Sequence, residues 1–157
     1  MHPRAAELIT RLQLEAHPEG GYYREIFRSA DLVAPADGRG PRAALTTIYF
    51  LLPAGTNSRW HRVASDEVWH LYEGGPLEVL AVDPACGALS SHRLEPHAPV
   101  CTVAAAHWQA ARTLGDYALV GCTVGPGFDF ADFTILADDA ATASRLLAKW
   151  PELASLV

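Results

Sequence analysis

Ala5, Leu8, Ile9 and Leu12 recur at the spacing of one helical face, which predicts a short amphipathic helix at the start of the chain. Pro18 and a glycine pair break it at residues 17–21, and residues 22–27 alternate as a first strand. Residues 31–41 hold Pro35, Gly38, Gly40 and Pro41, a turn-rich stretch expected to be a mobile connection. From residue 45 onward the texture is one of short apolar or alternating runs separated by Gly, Pro and Asp. They fall at 45–52, 59–63, 67–73, 77–83, 91–94, 100–103, 107–111, 117–124 and 132–136. Residues 140–149 are rich in alanine and leucine and predict a second helix, ended by Pro151. Many short strands between two terminal helices predict a mainly β sandwich or barrel, not a doubly wound parallel sheet. No repeat or linker divides the chain, so a single domain over residues 1–157 is expected.

Half of the 157 residues are hydrophobic and 19% are charged, a balance that supports a packed core. The net charge of −6 argues against a nucleic-acid partner, which asks for a basic patch. Lys149 is the sole lysine among twelve basic residues. The arginine fork suits carboxylate and phosphate, which leaves a small anionic ligand open. Cys86, Cys101 and Cys122 form no CxxC pair and read as small hydrophobes. The first ten residues lack a signal-peptide core, and no apolar run reaches the roughly 20 residues of a membrane span. A cytoplasmic protein without a membrane partner is the expectation.

The densest polar region runs from Gly55 to Gly74. Alternation places His61 on one strand face with Arg59 and Val63, and Glu67 on one face with Trp69 and Leu71, while His70 points the other way. An inward Glu67 needs a hydrogen-bond donor, a cation or a metal, and His61 is the natural partner. The spacing of Gly55, His61, Glu67 and Gly74 resembles the first cupin motif, with Val63 where a second histidine belongs. The slot of the second motif holds Ala104, Ala106, Gln109 and Thr113 in place of Pro, Gly, His and Asn. Four longer strings resemble hallmarks of one small cupin family of unassigned function: HPEGGYYRE at 17–25, WQAAR at 108–112, GDYALVGC at 115–122 and PGFDFADF at 126–133. The similarity runs from about residue 8 to residue 133. It implies a cupin jelly roll (double-stranded β-helix), a homodimer, and a shape similar to nucleotide-sugar 3,5-epimerases.

A metal cupin normally supplies three histidines and a glutamate; here His61 and Glu67 remain, with Gln109 as a weak third ligand for a divalent metal. Without metal, a histidine held by a carboxylate is a workable general base. The likeness to sugar epimerases implies His61 as base, assisted by Glu67, and a tyrosine acid drawn from Tyr23, Tyr72 and Tyr117. Ser58, Trp69, Gln109 and Arg24 are the candidate ligand-binding residues; Arg24 and Arg28 alike could meet an anionic ligand, although exposed arginines more often solvate the surface. Trp60 and Trp108 read as packing, Phe128, Phe130 and Phe133 as core anchors, and Asp129 or Asp132 as a turn cap. Three functions are compatible with these residues: an isomerase or epimerase-like enzyme on a sugar or nucleotide-linked sugar, a non-catalytic small-molecule or nucleotide binder, and a metal-dependent cupin enzyme.

Overall fold

The computed structural model describes residues 1–157. Helix α1 (Pro3–Leu12) is followed by β1 (Glu15–Ala16), β2 (Tyr22–Arg28), β3 (Leu32–Val33), β4 (Arg42–Ala43), β5 (Thr46–Pro53), β6 (Asn57–Val63) and β7 (Asp66–Gly74). The chain continues through β8 (Leu77–Val82), β9 (Leu89–Leu94), β10 (Val100–Val103), β11 (Trp108–Thr113), β12 (Tyr117–Gly125), β13 (Phe133–Ile135) and α2 (Ala140–Lys149). One sheet has the order β1-β2-β5-β12-β7-β10 and the other β13-β6-β11-β8-β9, with β3 and β4 as a separate pair. Neighbours distant in sequence pair antiparallel, β12 between β5 and β7 and β11 between β6 and β8. This is the mainly β jelly roll with terminal helices that the sequence predicts.

The period of two gives each strand one face toward the other sheet and one away from it. Phe50, Trp69, Val79, Ala111 and Val120 meet between the sheets. Trp60, Leu80 and Trp108 face outward from the five-stranded sheet, where Leu146 of α2 and Leu153 and Leu156 behind it cover them. Ala5 and Leu8 of α1 cover Leu51 and Leu119 on the outer face of the six-stranded sheet. The two terminal helices thus seal the two outer faces, each fully buried large side chain contributing about 1.5–3 kcal/mol.

Asp139 caps α2 by accepting from the Thr142 N–H at 3.0 Å. Asp139→Ala is expected to lower stability by about 1 kcal/mol in urea unfolding, since it leaves a first-turn N–H without its side-chain acceptor. As expected, α2 stops at Lys149, ahead of Pro151. The proline ring suits a first helical position, so the chain restarts as the 3₁₀ turn Pro151–Leu156.

The 31–41 stretch also departs from the expected mobile connection. Leu32 and Val33 pair with Ala43 and Arg42 in a small hairpin. Arg42 holds Asp132 through two hydrogen bonds of 2.8 and 2.7 Å, and Arg39 reaches the same carboxylate at 3.2 Å. Asp132 is therefore an ion-pair anchor rather than a turn cap, while Asp129 does cap its turn by accepting from the Ala131 N–H.

Three bulges interrupt the regular alternation, one of them on β7, where the register moves from Leu119 opposite Glu73 to Val120 opposite Leu71. On β6 the register moves from His61 opposite Gln109 to Ser58 opposite Ala111, so β6 carries one extra residue there. On β2 the register shifts between Glu25 and Phe27. A bulge switches the facing parity of the residues beyond it.

Candidate active site

The site begins at the turn of residues 17–21. The His17 N–H donates to the Gly21 carbonyl at 3.1 Å and the Gly20 N–H to the His17 carbonyl at 3.0 Å. Gly20 has φ +109°, and a Cβ there would lie 2.1 Å from the Asn57 carbonyl oxygen, so only glycine lets the turn lie this close to β6. The Arg59 N–H, at the β6 bulge, donates to the Glu19 carbonyl at 2.8 Å. Turn and bulge together carry the Glu19 side chain inside the barrel.

There Glu19, and not Glu67, is the carboxyl partner of His61. The His61 Nδ1 lies 2.7 Å from the Arg59 carbonyl oxygen, which can only accept, so this nitrogen carries a hydrogen. The Nε2 lies 3.1 Å from Glu19 Oε2. Ser58, brought to the inner face by the bulge, donates to Glu19 Oε1 at 2.8 Å. Burial pushes the Glu19 carboxyl up to about 8 and lowers the His61 imidazole, so near neutrality the pair shares one proton. The His17 Nδ1 accepts from the Glu19 N–H at 3.2 Å, and burial, with His61 nearby, holds that imidazole down at about 4.

Glu67 points inward beside Trp69 as the alternation predicts, and burial raises its carboxyl above the usual range. Gln109 donates its amide N–H to Glu67 Oε2 at 2.5 Å, and its oxygen accepts from the Trp69 indole N–H at 3.1 Å. This leaves the expected ligand set of His61, Glu67 and Gln109 unfit for a metal. Both ends of the Gln109 amide and both His61 nitrogens are engaged, and no group of three His, Cys, Asp or Glu side chains is arranged to hold an ion.

His61, Glu19, Glu67 and His17 line a cavity of about 290 Å³ together with Tyr23, Ile48, Val63, Cys122 and Val124. Phe128, Phe130 and Phe133, expected in the core, form an aromatic wall of this cavity instead, with ring centroids 5.0–6.0 Å apart. Phe128 and Phe130 lie on the segment that links β12 to β13, and Phe133 is the first residue of β13. Glu25, Arg28 and Asp129 stand on the same lining. Ser58, Trp69 and Gln109 lie just behind it as supports.

Three sequence candidates fall elsewhere. Tyr117 sits under α1 on the outer face of the six-stranded sheet and donates to Glu73 at 2.7 Å. Tyr72 is exposed against Tyr49, and Arg24 binds Gln13 at 2.9 Å, because each has the outward parity of its strand. Of the three tyrosines, Tyr23 alone reaches the cavity, edge-on to His17 with centroids 4.5 Å apart. His17 and Glu19 escaped the reading of the residues because they lie in a turn; their place in the first family string was the available signal.

The profile of the family described as "Cupin superfamily (DUF985)" matches residues 6–136. The chain belongs to this cupin family. A hypothetical protein from Leishmania major is 33% identical, with 97% of this chain and 96% of that chain covered and a TM-score of 0.82. A Shewanella oneidensis protein is 34% identical over 98% and 94% of the two chains, with a TM-score of 0.79. The Lactobacillus farciminis oxalate decarboxylase–formate complex shares the fold at 19% identity and a TM-score of 0.61, over 92% of this chain and 41% of that one. No curated protein matches the sequence. No helix of this cupin is long and apolar enough to cross a membrane.

Proposed function

We propose that this cupin is a small-molecule isomerase of the epimerase type, which moves a proton at a carbon beside a carbonyl. The observation that carries this reading is the buried Glu19–His61 pair, holding one proton in the wall of a cavity a solute can enter. A buried acid with its ionisation moved close to neutrality is what proton transfer at carbon asks for. The proton-free pair takes the hydrogen from carbon, leaving an enolate. Burial raises the Glu67 carboxyl and so favours its protonated form, the one that can donate to the enolate oxygen. Tyr23, on the lining, is the acid that returns a proton to carbon, and the proton held by the pair then passes through solvent to the tyrosinate. The substrate class proposed is a keto-sugar, on the resemblance to nucleotide-sugar epimerases read from the sequence.

The test is incubation of the protein with a panel of keto-sugars and smaller hydroxyketones in D₂O, followed by NMR. Deuterium appearing at the carbon next to the carbonyl, faster than in buffer, is the expected result. A ligand binder without turnover is the second reading, favoured by both His61 nitrogens already having partners. Thermal stabilisation by a keto compound with no deuterium incorporated by any of them would select it.

A further inference from the structure

We propose that the cavity selects an uncharged ligand, and that Glu25 is the residue that enforces this by masking Arg28. The inference rests on the isomerase reading only in taking the cavity as the ligand site, and it names the substrate class: a free hydroxy-carbonyl compound, not its phosphate or nucleotide derivative.

Arg28 is the one cationic side chain other than histidine on the lining, against the four carboxyls of Glu19, Glu25, Glu67 and Asp129. The β2 bulge puts it there; with unbroken alternation, Phe27 and not Arg28 would share the face of Tyr23 and Glu25. An anion-binding arginine offers its fork to the ligand. Here the Nε–Nη2 edge of the fork is already occupied by a carboxylate. The Arg28 Nε and Nη2 donate to the two oxygens of Glu25 at 3.0 and 2.6 Å, and its Nη1 donates to the Phe128 carbonyl at 3.1 Å. Asp129 adds a second negative charge near the same guanidinium.

Other guanidiniums around the barrel are engaged as well. Arg39 and Arg42 hold Asp132, Arg59 donates to the Pro18 carbonyl at 2.7 Å, and Arg24 binds Gln13 on the outer side. The arginine-rich composition therefore does not translate into an anion site here. Glu25 and Arg28 are both partly exposed, so their pair is weak in itself. Its effect is exclusion. A phosphate entering the mouth would have to displace Glu25 and then remain beside it and Asp129, and like-charge placement is how a site rejects a competitor. The interior offers the opposite chemistry, with an aromatic wall facing hydrogen-bonding carboxyls. At about 290 Å³ the cavity is at the low end of the roughly 300–1,000 Å³ of drug-sized sites, which fits a single ring or a short chain.

The experiment measures binding of D-fructose, D-fructose 6-phosphate and inorganic phosphate by NMR titration, to the wild type, E25Q and the double variant E25Q/R28A. The wild type should bind neither phosphate-bearing probe more tightly than fructose. E25Q should bind both at least about fivefold more tightly than the wild type, the weakest effect expected for removing one unit charge a few ångströms away. The double variant should lose that gain. Wild type preferring fructose 6-phosphate over fructose would overturn the proposal. So would E25Q and wild type that do not differ toward phosphate, or a gain that persists without Arg28. Absence of deuterium exchange with every keto compound would sink the isomerase reading alone and leave this binding pattern in place.

Discussion

Replacing His61 by alanine is expected to slow deuterium incorporation at the substrate carbon by roughly 10²–10⁴-fold, the usual contribution of a placed acid or base. His61→Ala also removes a buried ring and leaves Glu19 facing a void, so the sharper variant is Glu19→Gln. The amide has the shape of the protonated carboxyl, can accept from Ser58 and can donate to the His61 Nε2, yet cannot surrender its proton. A loss of similar size with the fold intact is the expected result for Glu19→Gln. Rates of exchange for both variants, with circular dichroism as the check on folding, provide the measurement; an E19Q protein as fast as the wild type would remove the pair from the chemistry. The wild-type rate should rise with pH through about 8, because the proton-free pair is the base.

Stability is expected to move the other way over the same interval. In the unfolded chain Glu19 ionises near 4.5 and the histidines near 6.5; in the folded protein Glu19 is raised to about 8 and His17 lowered to about 4. Glu67 is raised and His61 lowered as well. Between about 4.5 and 6.5 the folded state keeps a proton on Glu19 that the unfolded chain has released. It also refuses a proton on His17 that the unfolded chain holds. The two effects oppose each other, and unfolding free energy should be nearly flat. Above 6.5 the histidines are neutral in both states and only the carboxyl contribution remains. A raised acid stabilises the fold below its unfolded pKa, and that contribution is lost as pH climbs through the folded value. Between pH 6.5 and 8 the Glu19 proton alone should cost about 2 kcal/mol, at about 1.4 kcal/mol per pH unit. Urea unfolding from pH 5 to 8.5 measures it. Glu19→Gln should flatten the decline and be the more stable protein at pH 8.5. A wild-type curve rising between 6.5 and 8 would mean that the carboxyls are ionised in the barrel.

Both results concern residues that were unequally legible in the chain. Strand alternation exposed His61, Glu67 and Trp69 as inward and His70 as outward, because facing along one strand depends only on near neighbours. The same rule separated Tyr22, which packs under α1, from Tyr23 in the cavity. It could not separate Tyr23 from Tyr117 as site residues, since that requires knowing which face of each strand looks between the sheets. Nor could it see the bulges. An extra residue on β6 puts Ser58 on the inner face, and the shift on β2 turns Arg28 toward the mouth, although unbroken alternation would have placed both differently.

The jelly roll, its terminal helices and the inward imidazole were thus written in local periodicity and in the family strings. The choice of Glu19 over Glu67 as the partner of His61, the conversion of three phenylalanines from core to cavity wall, and the masking of Arg28 came from contacts across the barrel. Ser58 and Glu19 are 39 positions apart and meet only because a glycine turn lies against a bulged strand. Periodicity records which way a side chain leaves its own backbone. What it meets there depends on where the rest of the chain has folded.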